Sequence, residues 1–219
     1  VNRGFKANDI VLMAYDDIPT LRQNPFQGQI FHTTDHKNNV YPGTSAINYK
    51  GKTVTAQQFY DVLENLDSTT NDYVYIYYDN HGGPGILGVP DGCGTHITTK
   101  GLKAALKNMY NNGKYKNCLF GIEACYSGSL AEEFDAPNLA VITAANDAES
   151  SYAATYDSVI GSYLSNEFTN YWIAYLDSNP DCTIGELYTT MKAKTAGSHV
   201  MYYGDESMKD LKVSLFVNV

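Results

Sequence analysis

The chain has 219 residues, 43% of them apolar, with 18 glycines and a net charge of −9. That balance suits one globular α/β domain and excludes a disordered segment, and the absence of clustered lysine or arginine argues against nucleic acid as a partner. No apolar run approaches the ~20 residues of a membrane-spanning helix, and the opening Val1-Asn2-Arg3-Gly4-Phe5-Lys6 carries no leader pattern and reads as the interior of something longer.

In chain order, residues 10–15 read as a strand closed by Asp16-Asp17-Ile18-Pro19. Residues 22–52 hold Pro25, Gly28, Pro42, Gly43 and Gly51 without a sustained period, a long loop of the kind that is usually functional. Residues 55–66 read as a helix with Thr55 as its cap and Phe59, Tyr60, Val62, Leu63 and Leu66 as its apolar stripe. The run 73–78 reads as a buried strand. Residues 99–111 read as a helix, with Leu102, Leu106 and Tyr110 four apart and Gly113 beyond its end. Residues 118–125 form a second buried strand, followed by a short helix from Ser129 to about Phe134. Residues 139–144 read as another strand, 160–176 and 183–193 as helices, and 198–203 and 211–219 as short strands. Alternation of strand and helix implies a mostly parallel sheet with crossover helices in a single domain. The nineteen tyrosines are read as core and rim residues.

Two of these strands end in a reactive side chain held by glycine. The first runs into Asp79-Asn80-His81-Gly82-Gly83 and the second into Glu123-Ala124-Cys125-Tyr126-Ser127-Gly128. Loops at the carboxyl ends of parallel strands form the ligand crevice of an open α/β sheet. His81 and Cys125 would share one rim, the placement that a thiol nucleophile and its imidazole partner need. Gly82 and Cys125 offer backbone N–H groups for an oxyanion, and a helix beginning at Ser129 would set its positive end near the thiol. Glu123 shares a strand face with Cys125, as a specificity residue or as half of a structural ion pair. His32, His36, His96 and His199 lack such a setting and are read as surface or packing residues. Cys93, Cys118, Cys125 and Cys182 contain no C-x-x-C pair, which removes zinc and thioredoxin readings and leaves a Cys93–Cys182 disulfide open. No metal or cofactor is implied.

Six stretches together resemble the legumains, the asparaginyl endopeptidases or vacuolar processing enzymes. They are Met13-Ala14-Tyr15-Asp16-Asp17-Ile18, Asn80-His81-Gly82-Gly83-Pro84-Gly85-Ile86-Leu87-Gly88-Val89-Pro90, Ile122-Glu123-Ala124-Cys125-Tyr126-Ser127-Gly128-Ser129, Thr143-Ala144-Ala145-Asn146, Glu149-Ser150-Ser151-Tyr152-Ala153 and Ser198-His199-Val200-Met201-Tyr202-Tyr203-Gly204. The resemblance implies a caspase-like α/β fold and a cysteine endopeptidase that cleaves after asparagine, or aspartate, and in some members ligates peptides. Cys125 matches the nucleophile and His81 the proton-transfer group, while Glu123 and Ser151 match the S1 pocket. It further implies protein and peptide substrates, an acidic lysosomal or vacuolar location or secretion, a zymogen restrained by its own C-terminal prodomain, and cystatin-type inhibitors.

Against the family pattern, the opening strand and helix expected before Phe5 and the prodomain do not occur in the sequence. Residues 1–219 are accordingly read as one peptidase domain, incomplete at its N-terminus, and inactive as an isolated fragment. Asn80 stands where the family has aspartate, and Asn166 where it has an acid of the S1 pocket. Two other readings are the catalytic subunit of a GPI transamidase and a non-catalytic homologue serving as a binding module.

Overall fold

The computed structural model describes residues 5–217; residues 1–4 and 218–219, the latter the end of the strand expected over 211–219, lie outside them. The chain opens with a 3-10 turn, Ala7–Asp9, and then runs past Met13 without joining the sheet. The strand expected over 10–15 does not form. Met13 makes a single parallel bridge to Tyr49, and Leu12 and Ala14 give their backbone bonds to Asn48 and Tyr49 of the long loop. The run has β propensity, but among the described residues no full strand lies alongside to complete a ladder. The loop over 22–52 holds 3-10 turns at Thr44–Ala46 and Gly51–Thr53. His36 ties it to the rest of the fold: its Nε2 lies 2.7 Å from the buried Asp157 carboxylate, and its ring packs on Phe26 and Phe31.

Helix α1 (Ala56–Glu64) starts where the Thr55 side chain accepts from Gln58 N, one of the four amides that every helix start leaves unpaired. Strand β1 (Tyr73–Asp79) follows, then a small antiparallel sheet of β2 (Gly82–Gly83), β3 (Ile86–Leu87) and β4 (Ile97–Thr98). Helix α2 (Thr99–Asn111) is capped by Thr98 and closed by Gly113 at φ +66°. Next come β5 (Asn117–Glu123), the one-turn α3 (Gly128–Ala131), β6 (Leu139–Thr143), and a hairpin of β7 (Ala153–Asp157) and β8 (Ser162–Asn166). The chain then forms α4 (Glu167–Ser178), α5 (Ile184–Lys194) with a Thr183–Glu186 capping box, β9 (Met201–Gly204), and 3-10 turns at Glu206–Asp210 and Val213–Leu215.

Two further sequence expectations fail here. The helix over 160–176 begins only at Glu167, because Gly161 at φ +75° turns the preceding residues into the hairpin, where Tyr156 and Tyr163 meet edge to face across the strands. The strand over 211–219 is a 3-10 turn over its described part: Val213, Phe216 and Val217, three and four apart, bury together as a helical turn places them.

The main sheet runs β1-β5-β6-β9, with β1, β5 and β6 parallel and β9 antiparallel. Strand alternation divides its side chains between two cores. Cys118, Phe120 and Ile122 pack with Leu63, Leu102, Leu106 and Met109 of α1 and α2. Leu119 of β5 and the tyrosines 73, 75 and 77 of β1 face Phe168, Trp172, Leu187 and Met191 of α4 and α5. Gly121 is required on this second face, since a Cβ there would run into the Tyr77 ring. By the same period of two, Glu123 and Asp79 close that face directly beneath α4.

Candidate active site

The register of β1 and β5 sets the site. Asp79 pairs with Glu123, and Asn80 N extends the ladder to Glu123 O at 3.2 Å. His81 and Cys125 therefore each stand two residues past the same paired position, at the carboxyl ends of adjacent parallel strands. Their backbones converge: a Cβ on Gly82 would collide with the Cys125 carbonyl oxygen and the Ala124 side chain. Only glycine lets the two turns approach this closely. The His81 backbone is held on both sides, its carbonyl accepting from Gly88 N (2.8 Å) and Tyr78 Oη (3.1 Å), and its N–H donating to Asn80 Oδ1 (2.7 Å). Its imidazole is exposed and makes no hydrogen bond among the described residues.

Cys125 is half-buried, and its Sγ lies 3.7 Å from the Ser151 carbonyl oxygen. The chain turns sharply after it. Tyr126 sits at φ +55°, a left-handed conformation that costs an L-residue about 1–2 kcal/mol. Hydrogen bonds offset that cost: Tyr126 N donates to Glu149 O (2.7 Å), Gly128 N to Ala145 O (3.1 Å), and Ser129 Oγ to Tyr126 O (2.6 Å). Gly128 is needed here, because a Cβ would meet the Asn146–Asp147 backbone. The helix expected after Cys125 amounts to one turn, Gly128–Ala131, too short to carry the dipole the sequence suggested.

Glu123 is 2% exposed. Its Oε2 accepts from both the backbone N and the hydroxyl of Thr169, each at 3.0 Å, in the first turn of α4. The structural ion pair is thus replaced by a helix cap supplied from the sheet. Glu123 Oε1 is buried and has no hydrogen-bond partner. The residue at the helix N-cap, Asn166, directs its side chain elsewhere: its Nδ2 donates to Asp79 Oδ1 at 2.9 Å. Burial, and then the Asp79 charge, push the Glu123 carboxyl up to about 7. The Ser151 hydroxyl pulls the other way without reaching hydrogen-bonding geometry on Oε1. Asp79 is also raised by burial, opposed by its bond from Asn166.

The structure therefore brings Cys125, His81, Gly82, Glu123, Ser151 and Asn166 to one rim. It adds two residues that sequence reasoning missed: Asp79, which alternation along β1 could have placed beside Glu123, and Thr169, which gave no local signal. All four cysteines are free, which closes the open Cys93–Cys182 disulfide. The tyrosines divide: Tyr152, Tyr156 and Tyr163 are each more than half exposed.

The raised Glu123 pKa carries a stability consequence. Between about pH 4.5 and about pH 7 the folded chain holds a proton that the unfolded chain has lost. That contribution is full below the ordinary carboxylate pKa and is lost as pH rises through about 7. Its size is at most roughly 3 kcal/mol. Glu123→Gln, neutral at every pH and still able to accept from Thr169, is expected to flatten the fall in stability between pH 5 and pH 8. Urea unfolding at the two pH values checks this, and identical slopes in wild type and variant would refute it.

The mostly parallel sheet flanked by helices is caspase-like in fold: the crystal structure of caspase-1 from Spodoptera frugiperda matches with a TM-score of 0.50 at 15% identity, over 68% of each chain. The model of the peptidase C13 family matches residues 1–219, and the chain belongs to that family. It is 34% identical to legumain from Mus musculus, over 97% of this chain and 52% of that one, and 34% identical to hemoglobinase from Schistosoma mansoni, over 98% and 52%. The vacuolar-processing enzyme beta-isozyme of Arabidopsis thaliana is 34% identical over 97% and 49%. The chain spans about half the length of the curated relatives it matches. No described helix is long and apolar enough to cross a membrane.

Proposed function

We propose that the protein is a cysteine endopeptidase that cleaves on the carboxyl side of asparagine through a Cys125–His81 dyad. The observation that carries this reading is the equal offset of the two residues past the Asp79–Glu123 pair, with Gly82 pressed against Cys125. His81 takes the Cys125 thiol proton as Sγ attacks the scissile carbonyl carbon. The N–H groups of Gly82 and Cys125 hold the resulting oxyanion. Collapse breaks the C–N bond, His81 returns the proton to the leaving amine, and a thioester remains. Water, deprotonated by His81, attacks the thioester and releases the new carboxylic acid and the thiol. An amine in place of water gives ligation. The cleft floor of Glu123, Ser151 and Asn166 reads the P1 side chain.

The reading favours an acidic compartment, since Glu123 takes up its proton near pH 7 and an ionised P1 aspartate is then no longer repelled by it. Profiling a P1 peptide library at pH 5.5 and pH 8 is the test. Cleavage after asparagine is expected at both, and cleavage after aspartate at the lower pH only. Equal cleavage after basic or large apolar P1 residues would overturn the asparaginyl assignment.

A further inference from the structure

We infer that Asp79 is a positioning residue for specificity, which turns the Asn166 amide so that its carbonyl oxygen, and not its nitrogen, faces the P1 side chain. The inference rests on the peptidase reading and deepens it. Asp79 closes the face of β1 that packs beneath α4, in register with Glu123 on β5. An ionised carboxylate only accepts hydrogen bonds, so the amide nitrogen of Asn166 must face Asp79 Oδ1, as it does at 2.9 Å. The Asn166 carbonyl is then fixed on the opposite side of a planar group. Asn166 does not use that oxygen on its own helix: its side chain makes no cap bond, and Glu123 serves the Thr169 amide instead.

Glu123 Oε1 is buried and unpartnered, and with the Asn166 nitrogen turned to Asp79 the Asn166 Oδ1 remains; a P1 side chain that enters beside Cys125 would pair with both. When Glu123 is protonated, Oε2 is still engaged by Thr169, so the proton sits on Oε1. One donor and one acceptor then match the carbonyl and NH₂ of a P1 asparagine. A P1 aspartate offers acceptors alone: the Glu123 proton can serve one of its oxygens in acid, but the other meets the Asn166 carbonyl with no proton between them, so cleavage after aspartate stays below cleavage after asparagine. A site built to accept from an NH group rejects the analogue lacking it, because its own polar group is left unpaired.

The test is a reciprocal swap in the intact protein. Wild type, Asp79→Asn, Asn166→Asp and the double variant are compared on matched peptides with asparagine or aspartate at P1. Asp79→Asn frees the Asn166 amide to flip. It is expected to raise KM for the asparagine peptide about tenfold, with kcat little changed, and to move the asparagine-to-aspartate ratio toward aspartate. In the double variant the amide and the carboxylate trade places. The amide introduced on β1 donates to the carboxylate introduced at the start of α4, whose other oxygen again faces P1 as an acceptor. The preference is expected to return to within about threefold of wild type. Binding of both peptides to the same variants in a Cys125→Ala background supplies a readout independent of turnover. If Asp79→Asn does not fold, Asn166→Ala, which deletes the oriented carbonyl, takes its place with the same KM change expected. An unchanged ratio, or a double variant no better than the product of the single effects, overturns the inference while cleavage by wild type preserves the peptidase reading. A wild type that neither cleaves nor binds either peptide overturns both.

Discussion

Cys125→Ala is expected to abolish cleavage of an Ala-Ala-Asn reporter while leaving the fold intact. The thiol is half-buried and its one hydrogen-bond contact is a long one, 3.7 Å to the Ser151 carbonyl, so truncation removes little packing. The turn that presents it does not depend on the side chain: Tyr126, Gly128 and Ser129 hold the backbone through Glu149 and Ala145. Loss of the nucleophile removes the covalent route entirely, and no other cysteine can substitute. Cys93, Cys118 and Cys182 are buried, and burial raises the Cys118 and Cys182 thiols. An active-site alkylating probe should therefore label Cys125 and spare the rest. Matching circular dichroism with no detectable turnover is the expected pair of results. Residual cleavage by the variant would end the thiol mechanism.

Where sequence periodicity and end signals agreed, the fold was legible. Thr55 caps α1 where its apolar stripe begins, and the runs of β1 and β5 form the parallel strands expected of them; β5 is buried, while β1 lies at the sheet edge and is mostly half-buried. Legibility failed where a segment's state is decided by a distant partner. Residues 162–166 adjoin the helix that follows, but the Gly161 turn and pairing with β7 make them a strand. Residues 10–15 have every local mark of a strand and lack the neighbour. The spacing of Val213, Phe216 and Val217 was a helical signal overridden by the β-branched composition around it.

The site divides in the same way. His81 and Cys125 were readable because a parallel register converts equal distance past two strand ends into proximity. Glu123 was placed on the correct face, but its role as a cap for α4 depends on Thr169, 46 residues on, and on Asn166 turning its side chain away. For the proposed P1 contact this matters between about pH 4.5 and about pH 7, where a carboxylate of ordinary pKa would offer only acceptors and one raised to about 7 by burial would offer a donor.

His81→Ala is expected to lower kcat by roughly two to four orders of magnitude, the range for a positioned acid–base group, with KM little affected. The backbone at this position is braced independently of the imidazole, by Gly88 N, Tyr78 Oη and Asn80 Oδ1, so the variant should keep the rim in place. Gly82 continues to press on Cys125, and the proposed oxyanion donors survive. What is lost is proton transfer, first from the thiol and then to the leaving amine. Residual activity should therefore rise with pH as hydroxide takes the thiol proton, in place of the wild-type profile. A single-turnover measurement separates the two halves, since acylation and thioester hydrolysis both need the base and both should slow. The imidazole stands exposed and without a hydrogen-bond partner among the described residues. Added imidazole is expected to restore part of the rate in the space left by the side chain. A variant that turns over near the wild-type rate, with an unchanged pH profile, would assign the proton transfer to another group.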